Sequence, residues 1–336
     1  MKLERQNTAN GISAGSSRSE TIQQFAADVR AGLGGSPKRL PCVYFYDRAG
    51  SLLFERICRQ PEYYCTRAEG EILQKHARDI AACCSNPIQI VELGSGSSAK
   101  TRILLKAFMD ARLQTTYVPI DVSQEILAQS AADLRRIFPH LKVKPVTARY
   151  EDGLERLDPA DGPILLVWLG SSIGNYERKA AKKFLAGLRR QLSAGDNLLL
   201  GVDLIKDREI LEAAYNDRSG VTAAFNLNLL TRINRELGGT FDLDRFDHEA
   251  IFNAAEGRIE MYLVSRCEQE VRIEALDLAV CFSKGERIHT ENSHKYRVEE
   301  IADLVGEISE TPVRQWFDSR NQFSLSLFEV NNDGFV

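Results

Sequence analysis

From Gln89 onward the chain alternates between short apolar runs and segments with helical spacing, and that alternation leaves few folds open. Strand-like "IQIVEL" leads into a helical stretch at 98–111, "TYVPID" (116–121) into 123–137, and "KVKPVTA" (142–148) into a short helical piece. "PILLVWL" (163–169) leads into 177–192, and "NLLLGVD" (197–203) follows. Strands that alternate with helices pair in parallel, and the helices cover both faces of the sheet. "ILLVWL" and "LLLGV" are apolar on both faces, as central strands of such a sheet must be.

The alternation stops after Asp203. Residues 204–295 hold a helical part and then several strand-like segments, after which "YRVEEIADLVGEIS" reads as another sheet-covering helix and "TPVRQWFDSRNQFSLSLFEV" as two final strands. The fold class is therefore α/β: a doubly wound sheet interrupted by an inserted α+β segment. The expected division is a sheet domain over 20–203 and 296–336, an insertion over 204–295, and a flexible polar tail over 1–19.

The first strand ends in "VELGSGSSAKT" (91–101), a strand, glycine turn and helix start. Such a turn aims backbone N–H groups at a bound anion. Gly94, Gly96 and Ala99 fit a dinucleotide turn loosely, and the GxxxxGK[ST] of a phosphate loop is absent. Asp121 closes the next strand, where a carboxylate accepts two hydrogen bonds from a ribose diol. That leaves NAD and S-adenosylmethionine. Glu92, beside the turn, suits the sulfonium and ammonium of the methyl donor better than a pyrophosphate, and Lys100 suits its carboxylate.

A net charge of −4 gives no reason to expect nucleic acid or an anionic membrane as partner, and no apolar run approaches the roughly 20 residues of a membrane span. Seven cysteines without a CxxC pair read as idle thiols of a cytoplasmic protein. No metal site is expected, since His289 and His294 have no third ligand nearby. The chain is expected to act as a monomer.

Eight motifs in one order resemble the S-adenosylmethionine-dependent, histidine-specific Nα-methyltransferases of ergothioneine biosynthesis. They are "FYDRAGSLLFERICRQPEYYCTRAE" (45–69), "VELGSGSSAKT" (91–101), "VPIDVS" (118–123), "WLGSSIGNY" (168–176), "LLLGVDLIKD" (198–207), "AYNDRSGVTAAFNLNLL" (214–230), "RIEMYL" (258–263) and "HTENSHKY" (289–296). The resemblance implies a Rossmann-like class I methyltransferase sheet with an inserted substrate domain. It implies trimethylation of the α-amino group of L-histidine, through the mono- and dimethyl forms, to hercynine.

By the same resemblance, the cofactor contacts fall on Tyr46, Gly94, Gly96, Lys100, Asp121, Arg149 and Tyr150. The amino-acid end of histidine falls to Tyr63, Gly170, Asn175 and Tyr215, with Tyr63, Gly170 and Asn175 nearest the chemistry. Glu291 and Ser293 read the imidazole, and Phe54 and Met261 wall the pocket. Glu291 and Ser293 are two apart in a strand-like stretch and so share a face, with Asn292 pointing away. The chain departs from the family pattern at Arg149, where an acid is common, at Cys65, where proline is common, and at Asn292. The alternatives are an N-methyltransferase of the same architecture acting on another amine, such as a tryptophan derivative, and an NAD-dependent dehydrogenase.

Overall fold

The computed structural model describes residues 18–158, 161–306 and 308–331. The expected tail at 1–19 lies outside these residues apart from Arg18 and Ser19, which begin the first helix. In chain order the elements are α1 (Arg18–Leu33), β1 (Lys38–Arg39), α2 (Arg48–Ile57), α3 (Cys65–Ala82), β2 (Ile88–Leu93), α4 (Thr101–Asp110), β3 (Thr115–Asp121) and α5 (Gln124–Ile137). There follow β4 (Lys142–Val143), β5 (Val146–Thr147), α6 (Tyr150–Leu154), β6 (Ile164–Trp168), α7 (Arg178–Arg189) and β7 (Asn197–Asp203). The remainder is α8 (Arg208–Tyr215), α9 (Val221–Leu237), β8 (Phe246–Asn253), β9 (Arg258–Ser265), β10 (Gln269–Ile273), β11 (Leu278–Phe282), β12 (Arg287–His294), α10 (Val298–Val305), β13 (Arg314–Phe317) and β14 (Phe323–Glu329).

These elements form two compact units. One takes the residues up to Tyr64 with Lys206–His294; the other takes Cys65–Ile205 with the segment from Lys295 onward. The stretch 20–64, which the sequence reading assigns to the sheet domain, thus groups with the inserted segment.

The second unit is built on one sheet in the order β13-β14-β7-β6-β2-β3-β4, with β5 also paired to β3. Strands β7, β6, β2, β3, β4 and β5 run parallel, and β14 and β13 add an antiparallel edge. This is the Rossmann-like sheet that the resemblance implies. Every residue of β2 and β7 is buried, which explains their unbroken apolar runs. The expected strand 142–148 is two short pieces. Pro145 lies between them and has no N–H to donate to a ladder.

The first unit carries a four-stranded sheet, β1-β12-β9-β8, and the hairpin β10-β11. The helical part expected after Asp203 is two helices. Asn216, Asp217 and Gly220 make the break: Asp217 accepts from the N–H groups of Val221 (2.9 Å) and Thr222 (2.7 Å), and Gly220 is left-handed at φ +69°. Among the described residues no helix is long and apolar enough to cross a membrane.

Where the chain re-enters the second unit, Lys295 meets Asp203 at the end of β7. The ammonium is 2.8 Å from Oδ2, and the two side chains are 1% and 0% exposed. Removing one partner of such a pair strands a desolvated charge, which costs about 3–5 kcal/mol. Lys295→Ala is therefore expected to lower the unfolding free energy by about that amount in urea titrations. A loss below about 1 kcal/mol would show that Asp203 finds another partner.

Candidate active site

The turn after β2 is left-handed at Gly94 (φ +67°), Gly96 (φ +48°) and Ser98 (φ +53°). Glycine meets that demand at the first two positions without strain. Gly94 N–H donates to the Ile120 carbonyl (2.9 Å), and Gly96 N–H donates to Asp121 Oδ2 (3.1 Å). The other Asp121 oxygen accepts from Ser123 N–H at 2.9 Å. Burial raises the Asp121 pKa against these donors. A side chain at Gly94 would stand 2.8 Å from the Tyr150 hydroxyl, so Tyr150 lies directly against the turn, whereas nothing stands within 4 Å of a side chain at Gly96. Tyr150 starts α6, and its ring rests edge-on against Trp168 and Phe184. Arg149 is the residue that caps α6, its carbonyl accepting from Gly153 N–H at 2.9 Å.

Glu92 behaves differently from the expectation that it faces a ligand cation. Its carboxylate accepts from the Thr101 hydroxyl at 2.5 Å and from the Tyr117 hydroxyl. Tyr117 meets Ser98 Oγ at 2.9 Å, and Ser130 donates to Ser98 Oγ at 2.8 Å. The chain of hydroxyls braces Ser98 from below. Glu92 is thus part of the support of the turn.

Lys100 ion-pairs with Glu69, a residue that the sequence reading left out. Glu69 also accepts from Gly170 N–H, at 2.9 Å and 3.1 Å to its two oxygens. The signal was present in the sequence: Cys65, Ala68, Ile72 and Leu73 form the buried stripe of α3, and Glu69 is the charged residue within it. Gly170 is left-handed at φ +75°, and its N–H is taken by Glu69. Asn175 ends the 3-10 helix Ser172–Asn175 and is half-buried.

In the first unit, aromatic rings run in sequence from Tyr46 to Phe54 (5.7 Å between centroids), Phe54 to Tyr63 (6.3 Å) and Tyr63 to Tyr215 (6.1 Å). The Tyr215 hydroxyl lies 2.8 Å from Ser293 Oγ. On β12 the register to β9 shifts between His289 and Glu291. Ile288 is buried before the shift, Thr290 at it, and Glu291 and Ser293 after it. The bulge thus turns Glu291 inward, opposite Met261, and leaves Asn292 outward, where its Oδ1 meets His289 Nε2 at 2.8 Å. Burial and the neighbouring Glu291 charge push the Cys42 thiol up to about 12.

Tyr215 is held from behind by a second residue outside the sequence reading. His248 Nε2 lies 2.8 Å from the Tyr215 carbonyl, and its Nδ1 lies 2.9 Å from Asn226 Nδ2. A carbonyl only accepts and an amide NH₂ only donates, so the ring is the Nε2–H tautomer. Burial lowers the His248 pKa and keeps it neutral.

With this geometry in hand, the chain can be set beside known proteins. A family model described as "Histidine-specific methyltransferase, SAM-dependent" matches residues 25–330. The chain is 46% identical over 303 residues to histidine N-alpha-methyltransferase of Mycolicibacterium smegmatis, covering 89% of this chain and 93% of that one. It is 43% identical over 300 residues to the protein of the same name from Mycobacterium tuberculosis, with the same coverage. It is 32% identical over 305 residues to ergothioneine biosynthesis protein 1 of Neurospora crassa, covering 89% of this chain and 34% of that one.

Glu92 supplies a test of the turn's support. Burial pushes its carboxyl up to about 7 from the ordinary 4.5, against the pull of Thr101 and Tyr117. The folded protein thus holds this proton more tightly than the unfolded chain does. Its contribution to stability is full below the ordinary carboxyl value and is lost as pH rises through about 7. Between about pH 4 and about pH 8, wild type should lose roughly 3 kcal/mol of unfolding free energy relative to Glu92→Gln, read from urea titrations at each pH. Parallel pH profiles for the two proteins would contradict this.

Proposed function

Because the chain belongs to the histidine-specific, S-adenosylmethionine-dependent methyltransferases, we propose that it trimethylates the α-amino group of L-histidine to hercynine, the first step of ergothioneine biosynthesis. The observation that carries this reading is the inward pair Glu291 and Ser293 on β12, with Tyr215 hydrogen-bonded to Ser293. Neutral imidazole has one N–H donor and one bare nitrogen acceptor. Glu291 is the group to accept from the N–H. Ser293, whose hydroxyl lies 2.8 Å from that of Tyr215, is the group proposed for the bare nitrogen. An acceptor and a hydroxyl together match the donor and the acceptor of an imidazole, whereas an indole, with a single donor and no ring acceptor, matches only one of them.

The turn around Gly94 and Gly96 fits the methyl donor. Gly96 leaves open space, and the Asp121 carboxylate that accepts from its N–H is an acceptor suited to the ribose diol. Lys100 is the group for the cofactor's carboxylate, and Tyr46, Arg149 and Tyr150 are the remaining proposed contacts. S-Adenosylmethionine, when bound, supplies a methyl carbon on a sulfonium, already a strong leaving group. What remains for this chain is to position and desolvate the amine, a contribution of roughly 7–11 kcal/mol when the alignment is good. Tyr63, the Gly170 carbonyl and Asn175 are the groups proposed to orient it. The rings of Tyr63, Phe54 and Tyr46 offer apolar faces that tolerate an amine gaining methyl groups and positive charge. The seven free thiols suit a cytoplasmic enzyme, and the reading takes it to act as a monomer.

Glu291→Ala removes a charge-assisted hydrogen bond to the ring. It is expected to lower kcat/KM for histidine by roughly tenfold or more while the affinity for S-adenosylhomocysteine stays within about twofold. Turnover of histidine at the wild-type rate by this variant would refute the reading.

A further inference from the structure

We infer that Glu69 is a positioning residue for the cofactor's amino-acid end: it locks the Lys100 ammonium and the Gly170 amide into one fixed group. The inference rests on the assignment of Lys100 to the cofactor's carboxylate and goes beyond it by naming what holds Lys100 in place.

Glu69 projects from α3 and is fully buried, while a quarter of the Lys100 side chain (26%) stays exposed. Space for the carboxylate is set aside by the backbone itself. A Cβ at Gly201 in β7 would fall 2.2 Å from Glu69 Oε1, so that position admits no side chain while Glu69 lies there. A Cβ at Gly170 would come within 3.3 Å of Lys100 Nζ. Two glycines from two different elements thus make room for one ion pair. Burying a carboxylate costs several kcal/mol unless its charge is met. Here it is met by one ammonium and one N–H, and both belong to residues in the proposed site.

The arrangement has a direct consequence for binding. An ammonium has three N–H donors, so a lysine that holds one carboxylate can also bond a second. A lysine on its own is a flexible four-carbon stem with a strongly hydrated head. Fixed by Glu69, it is already in place when an anionic group arrives, and less ordering remains to be done on binding. With a neutral amide at position 69, one oxygen remains for two donors and the charge that held the ammonium is gone, so Lys100 is released toward water. The loss falls on ligands that carry the amino-acid group and spares those that lack it.

Calorimetry on the full chain can read this, using S-adenosylhomocysteine and 5′-methylthioadenosine, which keeps the adenosine and the thioether but has no carboxylate or ammonium. Glu69→Gln should weaken S-adenosylhomocysteine by about tenfold and leave 5′-methylthioadenosine within about twofold. In a Lys100→Met background the same change should have no further effect on either ligand, because its route is gone. If Glu69→Gln does not fold, Glu69→Asp, a methylene too short to reach both partners, should show the same selective loss. Equal loss for both ligands would make Glu69 a structural residue, and no loss or a gain for S-adenosylhomocysteine would equally overturn the proposal. Methyl transfer to histidine by the wild-type preparation reports separately on the proposed function.

Discussion

Desolvated carboxylates at the carboxyl ends of the parallel strands are the constraint on which the second unit depends. Glu92 in β2, Asp121 at the end of β3 and Asp203 at the end of β7 all lie in the same sheet, and Glu69 lies against β7. Glu69, Glu92 and Asp203 are buried and Asp121 is partly buried, so their charges call for specific donors. Glu92 has two hydroxyls, Asp121 two backbone N–H groups, Asp203 a buried lysine, and Glu69 a lysine and an amide. Meeting those four demands sets the path of the glycine turn, places Lys100 beside Gly170, and anchors the chain at Lys295. The fold's geometry at the strand ends is largely the solution to that electrostatic problem.

In the first unit the deciding feature is a bulge. Strand alternation alone would put His289, Glu291 and Ser293 on one face, with Thr290 on the other. The register shift between His289 and Glu291 puts Thr290 and Glu291 both inward. Thr290 spends its hydroxyl on the Met261 carbonyl at 3.1 Å, which ties the bulge to β9. One extra residue therefore turns the face that carries Glu291 and Ser293 inward. The neutral His248 and its partner Asn226 then fix the backbone of Tyr215, whose hydroxyl completes the row.

Much of the sheet was legible in the sequence, because burial on both faces writes itself as unbroken runs such as "ILLVW" and "NLLLGVD". The glycine turn and Asp121 were legible for the same kind of reason: few residue types satisfy a left-handed turn or close a strand against it. Long-range pairing was not. Nothing local in "TRAEGE" says that Glu69 reaches Lys100 and Gly170, and nothing local in "VELG" says that Glu92 is taken by Tyr117. Those partners are set by topology, which brings together residues 31 and 25 positions apart in these two cases, or 101 for Gly170. The grouping of the N-terminal stretch with the inserted segment was hidden likewise, since β1 has only two residues and its partner is β12.

The central claim is that Glu291, Ser293 and Tyr215 make this methyltransferase select imidazole. A competition assay tests it most directly: equimolar histidine, tryptophan and tyrosine are offered with methyl-labelled S-adenosylmethionine, and the label in each product is counted. The account predicts nearly all label in histidine derivatives, ending in the trimethylated betaine. Label that goes chiefly to tryptophan or tyrosine, or that is shared evenly among the three, would contradict it.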